Sequence, residues 1–476
     1  MNIFKIHPLD NVAVVIEEQN GIPAGHKIAL CSIKKGEKII KYGMPIGKAK
    51  CDIEKDEHVH THNTESILEK SGEYEYNPCF DEPVKMTPKK FLGYKRKNGS
   101  VGIRNEVWII PTVGCVNNIA KEIAKQIDVS KYENVDGVFA YSHPYGCSQL
   151  GDDQLYTQKL LSGLIKHPNA GAVLVIGLGC ENNNICELKK VLGKTDDDRV
   201  HFLNCQDFEN EIEQGIKNVQ KLCEYANGFC RSECDFSSLV VGLKCGGSDG
   251  FSGITANPLV GRVSDRIISM GGSAILTEVP EMFGAETTLM ARARNKDVFD
   301  KIVKLINDFK AYFSSYNEPV DENPSPGNKE GGITTLADKS LGCTQKGGFS
   351  PVEDVLLYGD TVTEKGLSLL QGPGNDLVAA CALAASGAHI VLFTTGRGTP
   401  FGCPVPTVKI SSNTSLYNKK TGWIDFNAGT LVQGESFEKL TDDFIEYLAG
   451  ICEGKKTKSE YLDKSDIAIF KDGVTL

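Results

Sequence analysis

Hydrophobic and polar positions follow two regimes along this chain. Up to about residue 70, short apolar runs are closely spaced by turn residues: Val12-Ala13-Val14-Val15-Ile16, Lys27-Ile28-Ala29-Leu30 and Glu37-Lys38-Ile39-Ile40-Lys41-Tyr42, with Gly43-Met44-Pro45-Ile46-Gly47 reading as a turn. This predicts a small β-rich unit over residues 1–70. Residues 71–100 lose the periodicity and collect Pro78, Pro83, Pro88 and Lys89-Lys90, as a linker does. From about residue 101, apolar strands alternate with helical stretches: Val107-Trp108-Ile109-Ile110, Gly137-Val138-Phe139-Ala140-Tyr141, Ala172-Val173-Leu174-Val175-Ile176 and Leu239-Val240-Val241-Gly242-Leu243. That alternation predicts an α/β body built on a mostly parallel sheet, one domain over 101–235 and a second over 236–476.

Each of those four strands runs within about six residues into a glycine and a cysteine: Cys115, Cys147, Cys180 and Cys245. Ligands of open α/β sheets bind outside the carboxyl ends of the strands, so the four thiols are expected to converge on one sheet edge. The richest strand end is 244–258, where Lys244, Cys245, Ser248, Asp249, Thr255 and Asn257 share a glycine loop ahead of a helix. Asn257 suits an N-cap and Pro258 the first helical position, and backbone N–H groups at such a start attract anions. A tight turn that merely needs small residues would look similar. The stretch 323–332 holds too much Pro and Gly for regular structure and offers Lys329; Thr394-Thr395-Gly396-Arg397-Gly398 sets Arg397 between glycines, where its guanidinium can grip a carboxylate. Three such loops in one chain favour a shared anion-binding site over three unrelated surface loops. His58, His60 and His62 alternate and would face one side of a strand, as metal ligands or as a polar strand end. His26, at a turn, suits acid–base work or plain solvation.

Composition narrows the class. At 476 residues the chain has room for two or three domains, and a net charge of −10 argues against nucleic acid. No apolar run of about 18 residues predicts a membrane span, and the first residues lack a secretory apolar region, so a cytoplasmic protein is expected. Sixteen cysteines without a CxxC pair read as thiols or metal ligands rather than a disulfide framework. Dinucleotide, Walker-type and nucleophile-elbow motifs are absent. What remains is a set of hydroxyls, amides and cations suited to a polyhydroxylated carboxylate, with Cys and His nearby. Such a set fits an elimination: the dianionic ene-diolate left by removing the proton α to a carboxylate needs a metal and fixed donors, each donor contributing ~3–4 kcal/mol.

The motifs His143-Pro144-Tyr145-Gly146-Cys147-Ser148-Gln149-Leu150-Gly151-Asp152-Asp153, Gly177-Leu178-Gly179-Cys180-Glu181-Asn182-Asn183, the 244–258 loop, 323–332, 394–400 and the ending 467–476 resemble the altronate dehydratase family, whose wider group includes galactarate dehydratase and a sulfolactate sulfo-lyase. The resemblance spans essentially the whole chain, and the 58–63 histidine stretch with Leu341-Gly342-Cys343-Thr344-Gln345-Lys346 looks like the altronate branch. It implies loss of water from D-altronate in hexuronate breakdown, an iron requirement and an N-terminal SAF-type domain. On matching positions it makes His26, His143 and Asp249 candidates for catalysis, and Lys244, Ser248, Thr255, Asn257, Lys329 and Arg397 candidates for holding the sugar acid. Iron is expected either as a cluster on Cys115, Cys147 and Cys245, with Cys180 a fourth ligand or a bystander, or as Fe²⁺ on His and carboxylate ligands. The partner is a small sugar acid, and the reading leaves room for a homo-oligomer.

Overall fold

The computed structural model describes residues 2–68, 72–462 and 466–476, so the expected boundary at residues 70–71 lies outside the described residues. The N-terminal unit is two small antiparallel sheets. One orders Ile3–Phe4, Val12–Val15, Lys27–Ala29 and His58–Val59; the other orders Lys38–Lys41, Met44–Ala49 and Thr64–Glu65. Val12–Val15 shows no alternation because both its faces are covered: Val12 packs with Ile39, Ile46 and Val59, while Ala13 and Val15 pack with Ile22 and Ile28. The segment expected as a turn, 43–47, belongs instead to the strand Met44–Ala49. Tyr42 and Gly43, at φ 60° and 73°, make the turn, and Pro45 fits the strand at a register shift opposite Ile39 and Ile40.

This unit is locked to the body by charge as well as by packing. Ala285 and Leu341 of the body complete its core. Lys27 and Lys41 both reach Asp338, at 2.8 and 2.9 Å, with all three side chains at most 3% exposed. Burial pulls Lys27 down to about 8 and would raise Asp338, but the two ammonium groups hold the Asp338 carboxyl well below its usual range.

Residues 72–89 form no helix or strand but are stitched to the body, with Cys79 N–H donating to Ala291 O and Met86 N–H to Ser269 O. Regular structure resumes at Lys90–Lys95, inside the expected linker, because Phe91 and Tyr94 are buried when that strand pairs with Ser232–Asp235.

Two parallel sheets follow. The first has the order Gly137–Ala140, Glu106–Pro111, Ala170–Gly177, Val200–Asn204. The second has seven strands, ordered Val352–Leu356, Gly366–Leu370, Ser273–Leu276, Val240–Cys245, Ile390–Thr395, Thr407–Ser411, Phe426–Asn427. One core spans both: Trp108, Leu160 and Leu164 pack with Leu383, Ala384 and Phe393. Helices Gly151–Lys166 and Asp376–Ala385 approach closely at Gly163, where a Cβ would lie 2.2 Å from the Ala385 carbonyl oxygen. The four strand-end cysteines therefore do not share one sheet edge; Cys245 stands on a different sheet from Cys115, Cys147 and Cys180. Among the described residues, no helix is long and apolar enough to cross a membrane.

Candidate active site

Strand Val240–Cys245 delivers Lys244 and Cys245 to its carboxyl end, and the neighbouring strand Ser273–Leu276 delivers Glu278 and Glu281. Glu278 is a buried residue at φ 71°, a left-handed conformation costly for a side chain with a Cβ, and its carboxylate repays that by uniting the site. It accepts from Lys244 Nζ, from Lys346 Nζ at 3.2 Å and from the Cys245 N–H at 3.0 Å. Lys244 also pairs with Asp376 at 2.9 Å, and Lys339 with Glu281 at 2.7 Å. Three ammonium groups thus face three carboxylates. Burial works against the charge on Lys244, but Glu278 and Asp376 outweigh it and keep the ammonium protonated. Burial would likewise raise Glu281, yet Lys339, Lys244 and Lys346 hold it well below the carboxylate range.

Against this floor sits a thiol pair. Cys245 Sγ lies 3.1 Å from Glu281 Oε2 and 3.4 Å from Cys343 Sγ. The hydrogen bond to Cys245, then burial, pushes the Cys343 thiol far up. Cys245 and Glu281 line a cavity of about 460 Å³ whose other walls include Asn323, Ser325, Asn328, Lys329, Lys339 and Asp376. The segment expected to be irregular contains a short helix, Pro326–Glu330, because Ser325 and Asn328 form a reciprocal capping box and Pro326 takes the first position. Asn328 then donates to Ser248 O at 2.8 Å and tethers the helix to the 244–258 loop.

The same short helix touches a second cluster. His26 Nε2 lies 3.0 Å from Glu330 O, and His26 Nδ1 lies 3.0 Å from His58 Nε2. Lys27 pairs with Val59 across antiparallel strands, which sets His26 beside His60. The His58 and His60 rings stack at 5.4 Å, and His62 follows at 5.6 Å from His58; the strand expected to align them ends at Val59, and His60 and His62 lie in the bend and turn after it. Ligand atoms of His26, His58 and His60 all lie within 4.8 Å of one another, as do those of Cys245, Glu281 and Cys343. Burial, reinforced by neighbouring cations, brings His58 to about 4 and His60 to about 3, and burial lowers His26 too. The trio is neutral at physiological pH, the state in which imidazole binds metals.

Several expected site residues serve the scaffold. His143 is buried in the four-stranded domain with Nε2 on Pro111 O at 2.8 Å and Nδ1 accepting from the Tyr145 N–H at 3.2 Å, so neither nitrogen faces the cavity. Asp249 accepts from Ser252, Ser412 and Asn413, which ties the 244–258 loop to the end of strand Thr407–Ser411. Thr255 is bonded to the carbonyls of Phe251 and Ser412. Asn257 is not the N-cap; the helix begins at Ala256, and the Asn257 amide bridges Gly342 O and the Thr394 hydroxyl. Ser248 is buried with its hydroxyl unpaired among the described residues. Arg397 is half exposed and pairs with Glu330 at 3.0 Å. Cys115 and Cys147 are exposed and follow strands of the four-stranded sheet, whereas Cys245 is buried at the end of a strand of the seven-stranded sheet. Sequence reasoning passed over Glu278, Glu281, Lys339, Lys346 and Cys343, although the strand-end rule that found Cys245 applies equally to Glu278 and Glu281.

Comparison with known proteins covers the chain almost end to end. Residues 236–475 match the family model "D-galactarate/Altronate dehydratase, C-terminal", residues 93–227 "D-galactarate dehydratase/Altronate hydrolase, second domain", and residues 16–67 "Altronate/galactarate dehydratase SAF domain". The chain is 52% identical to the altronate dehydratase of Bacillus subtilis and 51% identical to that of Escherichia coli, with 100% of each chain covered. It is 33% identical to the galactarate dehydratase (L-threo-forming) of Escherichia coli, over 95% of this chain and 93% of that one.

Proposed function

The chain belongs to the D-galactarate/altronate dehydratase family, and we propose that its reaction is the dehydration of D-altronate to 2-dehydro-3-deoxy-D-gluconate in hexuronate breakdown. The observation that carries this reading is the full-length identity of 52% and 51% to two altronate dehydratases, against 33% to a galactarate dehydratase. In the reaction the C2 proton is removed, the C3 hydroxyl leaves as water, and the enol so formed tautomerises to the 2-keto acid. A cytoplasmic setting and a free sugar acid as substrate belong to the same reading.

The 460 Å³ cavity supplies the matching chemistry. Lys329 offers a cation for the carboxylate, Lys339 is held on Glu281, and Asn323, Ser325 and Asn328 offer donors and acceptors for the hydroxyl chain. Glu281 and the Cys245 thiol 3.1 Å from it are the proton-handling pair on the cavity wall, and in this reading they replace His143 and Asp249 in that role. Arg397, half exposed beside Glu330, stands at the rim.

Iron is the metal the family resemblance implies, and the donors fit it best at the seam between the N-terminal unit and the body. His26, His58 and His60 are neutral and close together, His26 buried and the other two half-buried, as a three-ligand site with open positions requires. The trio Cys245, Glu281 and Cys343 fits less well, because three lysines already balance the carboxylates around it and a cation there would require both thiols to ionise. Iron bound at the histidines would supply Lewis-acid stabilisation of the ene-diolate.

The test is anaerobically purified protein with Fe²⁺, assayed on altronate, galactarate and sulfolactate for a 2-keto-3-deoxy acid or released sulfite. Turnover highest on altronate and lost in Glu281→Gln is expected. Preference for galactarate or sulfolactate, or an iron-loaded folded protein inert to all three, would overturn the proposal.

A further inference from the structure

Three Gly-Cys pairs occupy equivalent places in the four-stranded domain: Gly114-Cys115, Gly146-Cys147 and Gly179-Cys180. They follow three strands that are hydrogen-bonded neighbours, Glu106–Pro111, Gly137–Ala140 and Ala170–Gly177. Register aligns them. Pro111 pairs with Ile176 and Ile109 with Ala140, so Pro111, Ser142 and Ile176 stand level, and the cysteines follow four, five and four residues later. Neighbouring strands are about 4.8 Å apart, which brings three consecutive strand ends within ~10 Å.

The loops are laced together rather than merely adjacent. The Gly114 N–H donates to Tyr145 O at 2.9 Å, and the Asn183 N–H donates to Gly146 O at 2.9 Å. The Asn183 side-chain amide donates to Thr112 O at 2.9 Å. A Cβ on Gly146 would lie 2.0 Å from Thr112 O, so no other residue allows this contact. Ser148, directly after Cys147, is held at φ 59°. The three thiols nevertheless remain exposed, although free cysteine is among the most often buried residue types. Cys147 Sγ lies 3.6 Å from the Asn182 amide oxygen, and Gln206 donates to Cys180 Sγ at 3.5 Å. Behind them, Gln149 Nε2 and Asn183 Oδ1 are buried and unpaired among the described residues, leaving polar capacity beside the loops.

We propose that Cys115, Cys147 and Cys180 form a second metal site, distinct from the histidine trio, that holds a [4Fe–4S] cluster on three thiolates and leaves the fourth iron open. Each thiol loses its proton on ligation, and no change in cluster redox state is required. Cys245, buried with Cys343 and Glu281 on the other sheet, is not a ligand. This assignment rests on the geometry of the four-stranded domain alone and stands whichever sugar acid the enzyme prefers.

The experiment is anaerobic purification of the full chain with iron and acid-labile sulfide analysis, visible absorption and electron paramagnetic resonance after dithionite reduction. About four sulfides per chain and a broad band near ~400 nm are expected. Cys115→Ser, Cys147→Ser and Cys180→Ser should each remove band and sulfide. Cys51→Ser, an exposed thiol of the N-terminal unit, and His60→Ala should keep both. Sulfide-free wild-type protein, or a band that survives all three substitutions, would overturn the assignment, and a band lost with Cys245→Ser instead would move the cluster to the other sheet.

Discussion

His26 Nδ1 and His58 Nε2 face each other at 3.0 Å across the antiparallel strands of the N-terminal unit. Because His26 Nε2 is directed at the Glu330 carbonyl, a pure acceptor, the proton of neutral His26 belongs on Nε2 and its Nδ1 presents a lone pair. That lone pair is met either by the His58 proton or by a cation between the rings. The carbonyl is thus the outer partner that orients His26, in the manner usual for metal-binding histidines.

His60→Ala should therefore strip the iron that supports turnover and reduce activity by more than the ~10–100-fold typical of changes to outer partners. Metal analysis on dialysed protein, together with the rate on altronate, reads this out. Iron beyond the sulfide-matched cluster content that is retained in His60→Ala but lost in Cys343→Ser would transfer the site to the thiol trio.

Acid should destabilise the fold well before the carboxylates titrate. Burial lowers His143 and His389 to about 4 and His167 to about 3, alongside His58 and His60 at about 4 and 3. These groups bind protons in the unfolded chain from pH ~6.5 but not in the folded one, so their contribution is fully present above pH ~6.5 and is lost as pH falls through 6.5 towards 4. Melting temperatures at pH 7.5, 6 and 5 should fall monotonically; a flat profile would contradict the assignment of neutral buried imidazoles.

Lys244→Met removes one member of the balanced charge floor and leaves Glu278 short of a partner in a site that excludes water. A loss of about 3–5 kcal/mol is expected from urea unfolding, and the double variant Lys244→Met, Glu278→Gln should recover part of it. A change within about 0.5 kcal/mol would show that the floor relaxes freely.

Asp338→Asn tests the docking of the N-terminal unit. With Lys27 and Lys41 uncompensated, a loss of about 3–5 kcal/mol is expected, with faster proteolysis in 72–89 and weaker iron retention. Unaltered proteolysis would mean that Ala285 and Leu341 suffice to hold the unit.

Arg397→Ala separates binding from folding. Its pair with Glu330 is exposed, and such pairs contribute only about 0–1 kcal/mol, so the melting temperature should not move. KM for altronate should rise roughly tenfold with little change in kcat, the pattern of an interaction made equally in ground and transition states. An unchanged KM would leave Arg397 out of the binding site.

The sequence by itself determined the local elements and much of the ligand chemistry. Closely spaced apolar runs before residue 70 and strand–helix alternation after 101 yield the two kinds of sheet, while the histidine rings are gathered by the turn after Val59, where the strand ends, rather than by a strand repeat. The Gly-Cys pairs were legible because a strand end is a local feature. Tertiary structure decided what those ends face. Only the division into two parallel sheets separates Cys245 from Cys115, Cys147 and Cys180. Only the docking of the N-terminal unit brings His26 to Glu330. Only packing shows that the nitrogens of His143 and the oxygens of Asp249 are already engaged. Side-chain type and spacing are written along the chain, but whether a polar group is free for chemistry depends on partners hundreds of residues away, and that is a property of the folded molecule.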